Sequence, residues 1–88
     1  MAWIANFDPR ALKELEKLDR MAQRRVVKFL QERVLRRPDP RALGKAMAGD
    51  KAGVWRYRVG DYRLICHIDD RAEVVLILRV AHRKEAYR

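Results

Sequence analysis

The stretch "VWRYRVGDYRLICHID", residues 54–69, constrains the fold of this chain more than any other segment. Two runs rich in β-branched and aromatic residues, 54–59 and 62–68, flank the dipeptide Gly60-Asp61. Glycine at the first loop position supplies the positive φ that a type II′ turn needs, so the spacing predicts a tight antiparallel hairpin. The predicted register pairs Val59 with Tyr62, Arg58 with Arg63, Tyr57 with Leu64, Arg56 with Ile65 and Trp55 with Cys66.

This register sorts the hairpin into two faces, because side chains alternate across a strand. One face is apolar and is expected to meet the core; it carries Trp55, Tyr57, Val59, Tyr62, Leu64, Cys66 and Ile68. The other face carries Arg56, Arg58, Arg63, Ile65 and His67.

The arginines of the second face present a physical problem. Like charges directly opposite one another on a sheet cost roughly 0.2–1 kcal/mol, so Arg63→Ala is expected to raise the melting temperature slightly. Taken singly, each arginine fits a solvated surface whose stem covers apolar area. Taken together, the three suit an anion, because the guanidinium fork binds phosphate through two parallel hydrogen bonds and stays charged at physiological pH.

Charge and composition limit the class of protein. The chain has 88 residues and a formal net charge of +9, from 21 Lys and Arg against 12 Asp and Glu. That length predicts one domain, 1–88, and that surplus favours a polyanionic partner: a nucleic acid, an acidic protein or, less favoured, a membrane surface. A single cysteine, Cys66, allows no internal disulfide, and the sequence shows neither a signal peptide nor an apolar run long enough to span a membrane. We therefore expect a cytoplasmic protein.

The remaining elements follow from caps and periodicity. Asp8 and Pro9 begin a predicted helix over 9–18, and Asp19 caps a second, longer helix that Pro38 and Pro40 end. Strands are predicted at 2–7 and 74–80, with a mobile connection over 39–53. The order β-α-α-β-β-β predicts an α+β domain with a mostly antiparallel four-stranded sheet, the helical hairpin packed on one face and the first strand beside the last.

Several kinds of catalytic site are excluded or disfavoured. Cys66, His67 and His82 are the residues that could in principle bind a metal ion. Cys66 and His67 are adjacent in a strand and point to opposite faces, so they cannot easily bind the same ion, and no metal site is predicted. The chain contains no serine and no threonine, which excludes a serine nucleophile, and it has no Walker-type phosphate loop. We expect neither a metal nor a cofactor.

Four segments carry a resemblance to a known family. They are "FDPRALKELEKLD", "RRPDPR", "GVWRYRVGDYRLI" and "VAHRKEAY", and together they extend over nearly the whole chain. The chain resembles the RelE/ParE superfamily of toxins from bacterial and archaeal toxin–antitoxin systems. The motif "WRYRVGDYRLI" is fairly specific for this superfamily, but it does not separate mRNA-cleaving RelE toxins from gyrase-poisoning ParE toxins.

The resemblance implies a function and a set of site residues. RelE-like toxins cleave mRNA in the ribosomal A site without a metal; the 2′-OH of the RNA attacks and leaves a 2′,3′-cyclic phosphate and a 5′-OH. The family's catalytic positions fall on Arg56, Arg58, Arg63, Arg83 and Tyr87. Further RNA contacts are expected from Lys45, Lys51, Lys84 and Arg88.

One departure from the family affects the mechanism. Both first-strand positions are lysine in the best-known RelE toxin, but they are Arg56 and Arg58 in this chain. Arginine, with a pKa above about 12, is a poor general base, although it can stabilise a pentacovalent phosphorane. Either Tyr87, activated by surrounding cations, or His82 would then accept the proton of the 2′-OH.

The resemblance also implies partners and leaves alternatives open. The expected partners are the 70S ribosome with its mRNA and a cognate acidic RelB-like antitoxin, in a toxin–antitoxin hetero-oligomer. The alternatives are a ParE-like gyrase inhibitor and a catalytically inactive homologue that binds only an antitoxin or nucleic acid. The full cationic set together with the terminal tyrosine favours the ribonuclease.

Overall fold

The computed structural model describes residues 3–47 and 53–85 of the chain. Within them the elements are β1 (Ile4–Phe7), α1 (Pro9–Glu16), α2 (Arg20–Phe29), β2 (Lys45–Ala46), β3 (Val54–Val59), β4 (Tyr62–Asp69) and β5 (Val74–His82). A π-helical turn, Leu30–Val34, continues α2, and a 3₁₀ turn, Pro40–Ala42, precedes β2. The predicted α+β class is confirmed.

The predicted helix caps are present. The side chains of Asp8 and Asp19 accept hydrogen bonds from backbone N–H groups in the first turns of α1 and α2. The corner between the helices is closed by Gln23, whose amide nitrogen donates to the carbonyls of Leu15 and Leu18 at 3.1 Å each. This corner ends α1 at Glu16, two residues before the predicted end.

In the described residues the sheet has five strands, in the order β1-β5-β4-β3-β2, rather than the predicted four. The additional strand, β2, is two residues long and too short to produce a periodic pattern in the sequence. As predicted, β1 lies beside β5, with which it is parallel, and the other neighbouring strands are antiparallel. The register predicted for the β3–β4 hairpin is confirmed at every pair from Val59–Tyr62 to Trp55–Cys66.

The core lies between the two helices and the apolar face of the sheet. Its fully buried members include Val26 and Val34 from the helical layer and Leu64, Val75 and Ile77 from the sheet. The opposite face of β3 and β4 carries the arginines, as the alternation of the hairpin predicts.

Hydrogen bonds from two aromatic side chains hold the segment that leads into β2 against the sheet. Nε1 of Trp3 donates to the carbonyl of Pro38 at 3.1 Å, and the hydroxyl of Tyr57 donates to that of Pro40 at 2.7 Å. Burial raises the pKa of Tyr57, so its hydroxyl stays protonated and remains a donor. The connection predicted over 39–53 thus contains regular structure in residues 40–46, and its mobility stays a prediction. Residues 48–52 lie outside the described ranges.

None of the helices in the described part of the chain is both long and apolar enough to cross a membrane.

Candidate active site

A basic pocket of about 350 Å³ opens on the arginine-bearing face of the sheet. We use the term basic pocket for the space lined by Gly44, Lys45, Arg56, Arg58 and Arg63. Three strands contribute to it: β2 supplies Lys45, β3 supplies two arginines and β4 supplies the third. Its volume is in the range of small-ligand sites, and its lining carries four cations and no carboxylate among the described residues.

Arg63 is the buried member of the basic pocket, with a relative exposure of 9%. Its Nη1 donates to the carbonyls of Gly60 and Tyr62, at 3.0 Å each. These two carbonyls belong to the hairpin turn, so their dipoles stabilise the guanidinium that faces Arg58 across the strands. The cross-strand charge pair predicted from the sequence is present, and the two hydrogen bonds to the turn outweigh its cost.

Arg56 and Arg58 project from β3 beside the buried arginine. Arg58 is exposed, whereas Arg56 is partly buried and in contact with other groups. Lys45 lies directly across from Arg56 in the β2–β3 register, and the two side chains therefore share one face of the sheet. Sequence reasoning assigned Lys45 to RNA binding, and the pairing places it among the catalytic candidates.

The backbone before Lys45 is tightly positioned. Gly44 has a φ of 81°, and a Cβ at this residue would lie 2.7 Å from Nε1 of Trp55 and even closer to the backbone oxygen of Arg56. Nε1 of Trp55 also donates to the carbonyl of Leu43 at 2.7 Å. Only glycine adopts this conformation in this space without strain, so the lysine is presented to the basic pocket by a backbone fixed on both sides.

Arg83 lies next to the hairpin turn. Its backbone N–H donates to the carbonyl of Asp61 at 2.7 Å, and its Nε lies 3.8 Å from the Asp61 carboxylate. Both side chains are more than half exposed, so this ion pair contributes little to stability. The contact holds the end of β5 against the turn. Arg83 is not among the residues that line the basic pocket.

His82 lies on the other face of the sheet. It pairs with Tyr62 in the β4–β5 register, and the two rings meet edge to face with centroids 5.7 Å apart. Both side chains line a separate groove together with Glu14 and Lys17 of the helical layer. The structure therefore does not bring His82 together with the arginines of the basic pocket. Its alternative role as acceptor of the 2′-OH proton stays a prediction.

Four further residues were predicted to take part in the site: Lys51, Lys84, Tyr87 and Arg88. Lys84 is exposed in the turn after β5, where its backbone N–H donates to Nδ1 of His82 at 3.2 Å. Tyr87, Arg88 and Lys51 lie outside the described residues.

A second group of cations adjoins the basic pocket. Arg25, Lys28 and Arg33 line a groove of about 540 Å³ between α2 and the hairpin turn, and Arg58 lines both spaces. A Cβ at Gly60 would meet the guanidinium of Arg25 at 3.2 Å, so this arginine packs directly over the turn. The sequence shows that these cations follow one side of α2 and of the turn that continues it. Only the tertiary structure shows that this side lies next to β3.

Glu14 of α1 forms an ion pair with Arg79 of β5, and neither residue lines the basic pocket. The carboxylate of Glu14 binds the guanidinium of Arg79, with an N–O distance of 2.8 Å, and accepts the backbone N–H of Val80 at 2.9 Å. Burial tends to raise the pKa of Glu14, but the hydrogen bonds from Arg79 and Val80 outweigh it and hold the pKa below its ordinary value. This interaction fixes α1 on β5 beyond the end of β1.

The chemistry of the basic pocket follows from its donors. Guanidinium groups hold a phosphodiester and stabilise the additional negative charge of a phosphorane, whereas they exchange protons poorly at neutral pH. The arrangement therefore suits binding of a nucleic-acid backbone and electrostatic stabilisation of phosphoryl transfer.

Comparison with known proteins is consistent with this geometry. Residues 5–87 match the family model described as the ParE toxin of the type II toxin–antitoxin system parDE. The chain is 36% identical to the toxin RelG of Mycobacterium tuberculosis over 100% of its own length and 99% of that protein.

Solved structures are similar as well. A chain in the M. tuberculosis toxin–antitoxin complex RelBE2 superposes with a TM-score of 0.85 at 35% identity, covering 94% of this chain and 100% of that one. The isolated E. coli RelE toxin superposes with a TM-score of 0.74 at 31% identity, covering 98% and 92% of the two chains.

Proposed function

Because this chain belongs to the RelE/ParE family of type II toxin–antitoxin toxins, we propose that it is a ribosome-dependent endoribonuclease that cleaves mRNA in the A site and inhibits translation. The observation that carries the proposal is the basic pocket, in which three arginines and one lysine converge on a space of about 350 Å³. Guanidinium forks suit this role because each can bind a phosphate through two parallel hydrogen bonds. The proposed target places its action in the cytoplasm.

In the proposed mechanism the RNA supplies its own nucleophile. The 2′-oxygen attacks the adjacent phosphorus, the bond to the 5′-oxygen breaks, and the products carry a 2′,3′-cyclic phosphate and a 5′-OH. Arg63 holds the scissile phosphate through Nε and Nη2, since its Nη1 is engaged by the hairpin turn. Arg56 and Arg58 stabilise the phosphorane, and Arg83 adds positive charge beside the hairpin turn.

Proton transfer in this mechanism is assigned first to Tyr87. The reference pKa of tyrosine, about 10, is high for a base at neutral pH, so this role requires that cations of the assembled site favour the phenolate. Tyr87→Phe keeps the ring and removes only the hydroxyl, so we expect a large loss of cleavage rate with ribosome binding nearly unchanged. An unchanged rate would restrict Tyr87 to stacking on a base. Lys45, Lys51, Lys84 and Arg88 are proposed to contact the RNA backbone.

Cleavage and gyrase poisoning are separated by one experiment. Induction of the toxin followed by mapping of mRNA 5′ ends should reveal cuts within translated codons. A ParE-like gyrase inhibitor is the second candidate because the matching family model carries that description. It would instead produce an SOS response with intact mRNA.

A matched pair of exposed arginines tests the site. Arg58→Ala should reduce cleavage of mRNA on programmed ribosomes by about 10²–10³-fold, the cost of removing one donor to a developing oxyanion. Arg71, exposed in the turn at the opposite end of β4, provides the same change of charge outside the basic pocket. Arg71→Ala should cleave like the unmodified protein, and equal losses in the two variants would contradict the assignment.

The cognate partner is proposed to be an acidic RelB-like antitoxin that forms a hetero-oligomer with this chain. The net charge of +9 supports an acidic partner, and one of the similar structures is itself a toxin–antitoxin complex. The catalytic charges in this proposal come from guanidinium and ammonium groups, so we expect cleavage to need no metal ion.

A further inference from the structure

We propose that Lys45 is the general acid of the cleavage reaction, the group that protonates the departing 5′-oxygen. This inference rests on the proposed ribonuclease function and assigns a step that the arginines perform poorly. Among the described residues that line the basic pocket, Lys45 is the one side chain with an ammonium group, which releases a proton more readily than a guanidinium does.

The position of Lys45 supports the role. It lies across from Arg56 in the β2–β3 register and lines the same space as Arg58 and Arg63. A phosphodiester held by these arginines therefore lies next to the lysine, as a general acid requires.

Contacts on both sides of Lys45 fix its backbone position. The Trp55–Leu43 hydrogen bond and the close approach of Gly44 to Arg56 fix the residue before it, and the N–H of Met47 donates to the carbonyl of Val54 at 2.9 Å. A lysine needed only for general attraction of RNA would not require such a fixed backbone. A proton donor does, because transfer takes place only within hydrogen-bond distance.

The charges around Lys45 suit the leaving group. Lys45 shares the basic pocket with Arg56 and Arg58 on β3 and with Arg63 on β4, so negative charge that develops on the 5′-oxygen there lies among cations. The ammonium differs from the guanidinium groups in that it can pass a proton to that oxygen.

The step balances without any additional reactant. The 2′-oxygen loses its proton to the base and forms a bond to phosphorus, while the bond between phosphorus and the 5′-oxygen breaks. The electron pair of the broken bond remains on the 5′-oxygen, which takes a proton from the ammonium of Lys45. The neutral amine then regains a proton from water.

Substitution of the leaving atom tests this assignment. After the cut site has been mapped on an mRNA, the scissile 5′-oxygen is replaced by sulfur, which departs as a thiolate and needs no acid. Single-turnover cleavage and ribosome binding are measured for the unmodified protein, Lys45→Arg and Lys45→Ala. Lys45→Arg preserves the charge and most of the length while removing the readily released proton.

With the natural linkage, both variants should lose at least about 100-fold in cleavage rate, the lower end for general acid catalysis, and Lys45→Arg should bind ribosomes as the unmodified protein does. With the sulfur linkage, both should recover most of the rate. Arg58→Ala is the matched control, because loss of phosphorane stabilisation slows cleavage of both linkages.

Two results would overturn the role of Lys45 while leaving the ribonuclease intact. One is natural-linkage cleavage by Lys45→Arg at the rate of the unmodified protein, which would reduce the lysine to a phosphate-binding charge. The other is an equal defect with oxygen and sulfur. Failure of the unmodified protein to cleave either linkage would instead overturn the proposed function, and this inference with it.

Discussion

Replacement of Arg63 by alanine tests how the domain tolerates facing arginines. The strand pattern alone predicts a small gain of stability, because the substitution relieves roughly 0.2–1 kcal/mol of repulsion from Arg58. The structure reverses that sign. Arg63 is buried, and its Nη1 donates to the carbonyls of Gly60 and Tyr62, so alanine removes two charged hydrogen bonds at the turn.

The magnitude follows from those bonds. Hydrogen bonds to a charged group contribute about 1.5–3 kcal/mol each, and the lower value applies here because the turn carbonyls can regain water. After the relieved repulsion is subtracted, Arg63→Ala should lower the free energy of unfolding by about 2–3 kcal/mol. For a domain of this size the melting temperature should fall by about 10–20 °C.

Thermal unfolding followed by circular dichroism measures this effect, and Arg58→Ala is the control. That substitution removes the same cross-strand repulsion from an exposed position, so it should leave the melting temperature unchanged or slightly higher. An Arg63→Ala protein at least as stable as the unmodified one would refute the role of the turn carbonyls. Loss of toxicity in Arg63→Ala supports a role of Arg63 in the site only when it is measured at a temperature at which the variant remains folded.

Three further predictions concern other parts of the molecule. Gly44→Ala should lose at least about 1–2 kcal/mol of stability in chemical denaturation, because alanine strains at positive φ and its Cβ would collide with the backbone of Arg56; unchanged stability would contradict the packing described. Glu14 has a lowered pKa, so its stabilising contribution is complete above the ordinary carboxyl pKa and is lost as pH falls through the lowered value. Unfolding measured against pH should therefore show a weaker acid dependence in Glu14→Gln than in the unmodified protein, and identical profiles would argue against the ion pair with Arg79. Association with the proposed acidic antitoxin, measured by stopped flow, should slow steeply between roughly 50 and 500 mM salt, whereas a salt-independent rate would exclude electrostatic steering.

Much of the candidate site could be predicted because the arrangement of its arginines depends on residues that are close together in the sequence. The alternation of β3 and β4 and the glycine of the turn determine which arginines share a face, and the register of the hairpin is confirmed from Val59–Tyr62 onward. Asp8 and Asp19 cap their helices for the same reason: a cap depends on the residues that immediately follow it. The family resemblance, not the spacing, supplied the proposed catalytic roles.

The face occupied by His82 could not be predicted in this way. Its orientation depends on the register between β4 and β5, and an irregularity between Ile65 and Cys66 shifts that register. Because the side-chain period of a strand is two, a shift of one residue exchanges the faces. His82 consequently pairs with Tyr62 on the side of the helices.

The sequence by itself determined the helix caps, the hairpin register and the concentration of positive charge, since each depends on neighbouring residues or on composition. Only the tertiary structure decided that Lys45 lies across from Arg56 and that Glu14 pairs with Arg79, 65 residues away. It also decided that Arg63 is buried against its own turn. The physical reason is that such contacts depend on how distant segments pack, and a two-residue strand or a single long-range ion pair leaves no periodic pattern along the chain.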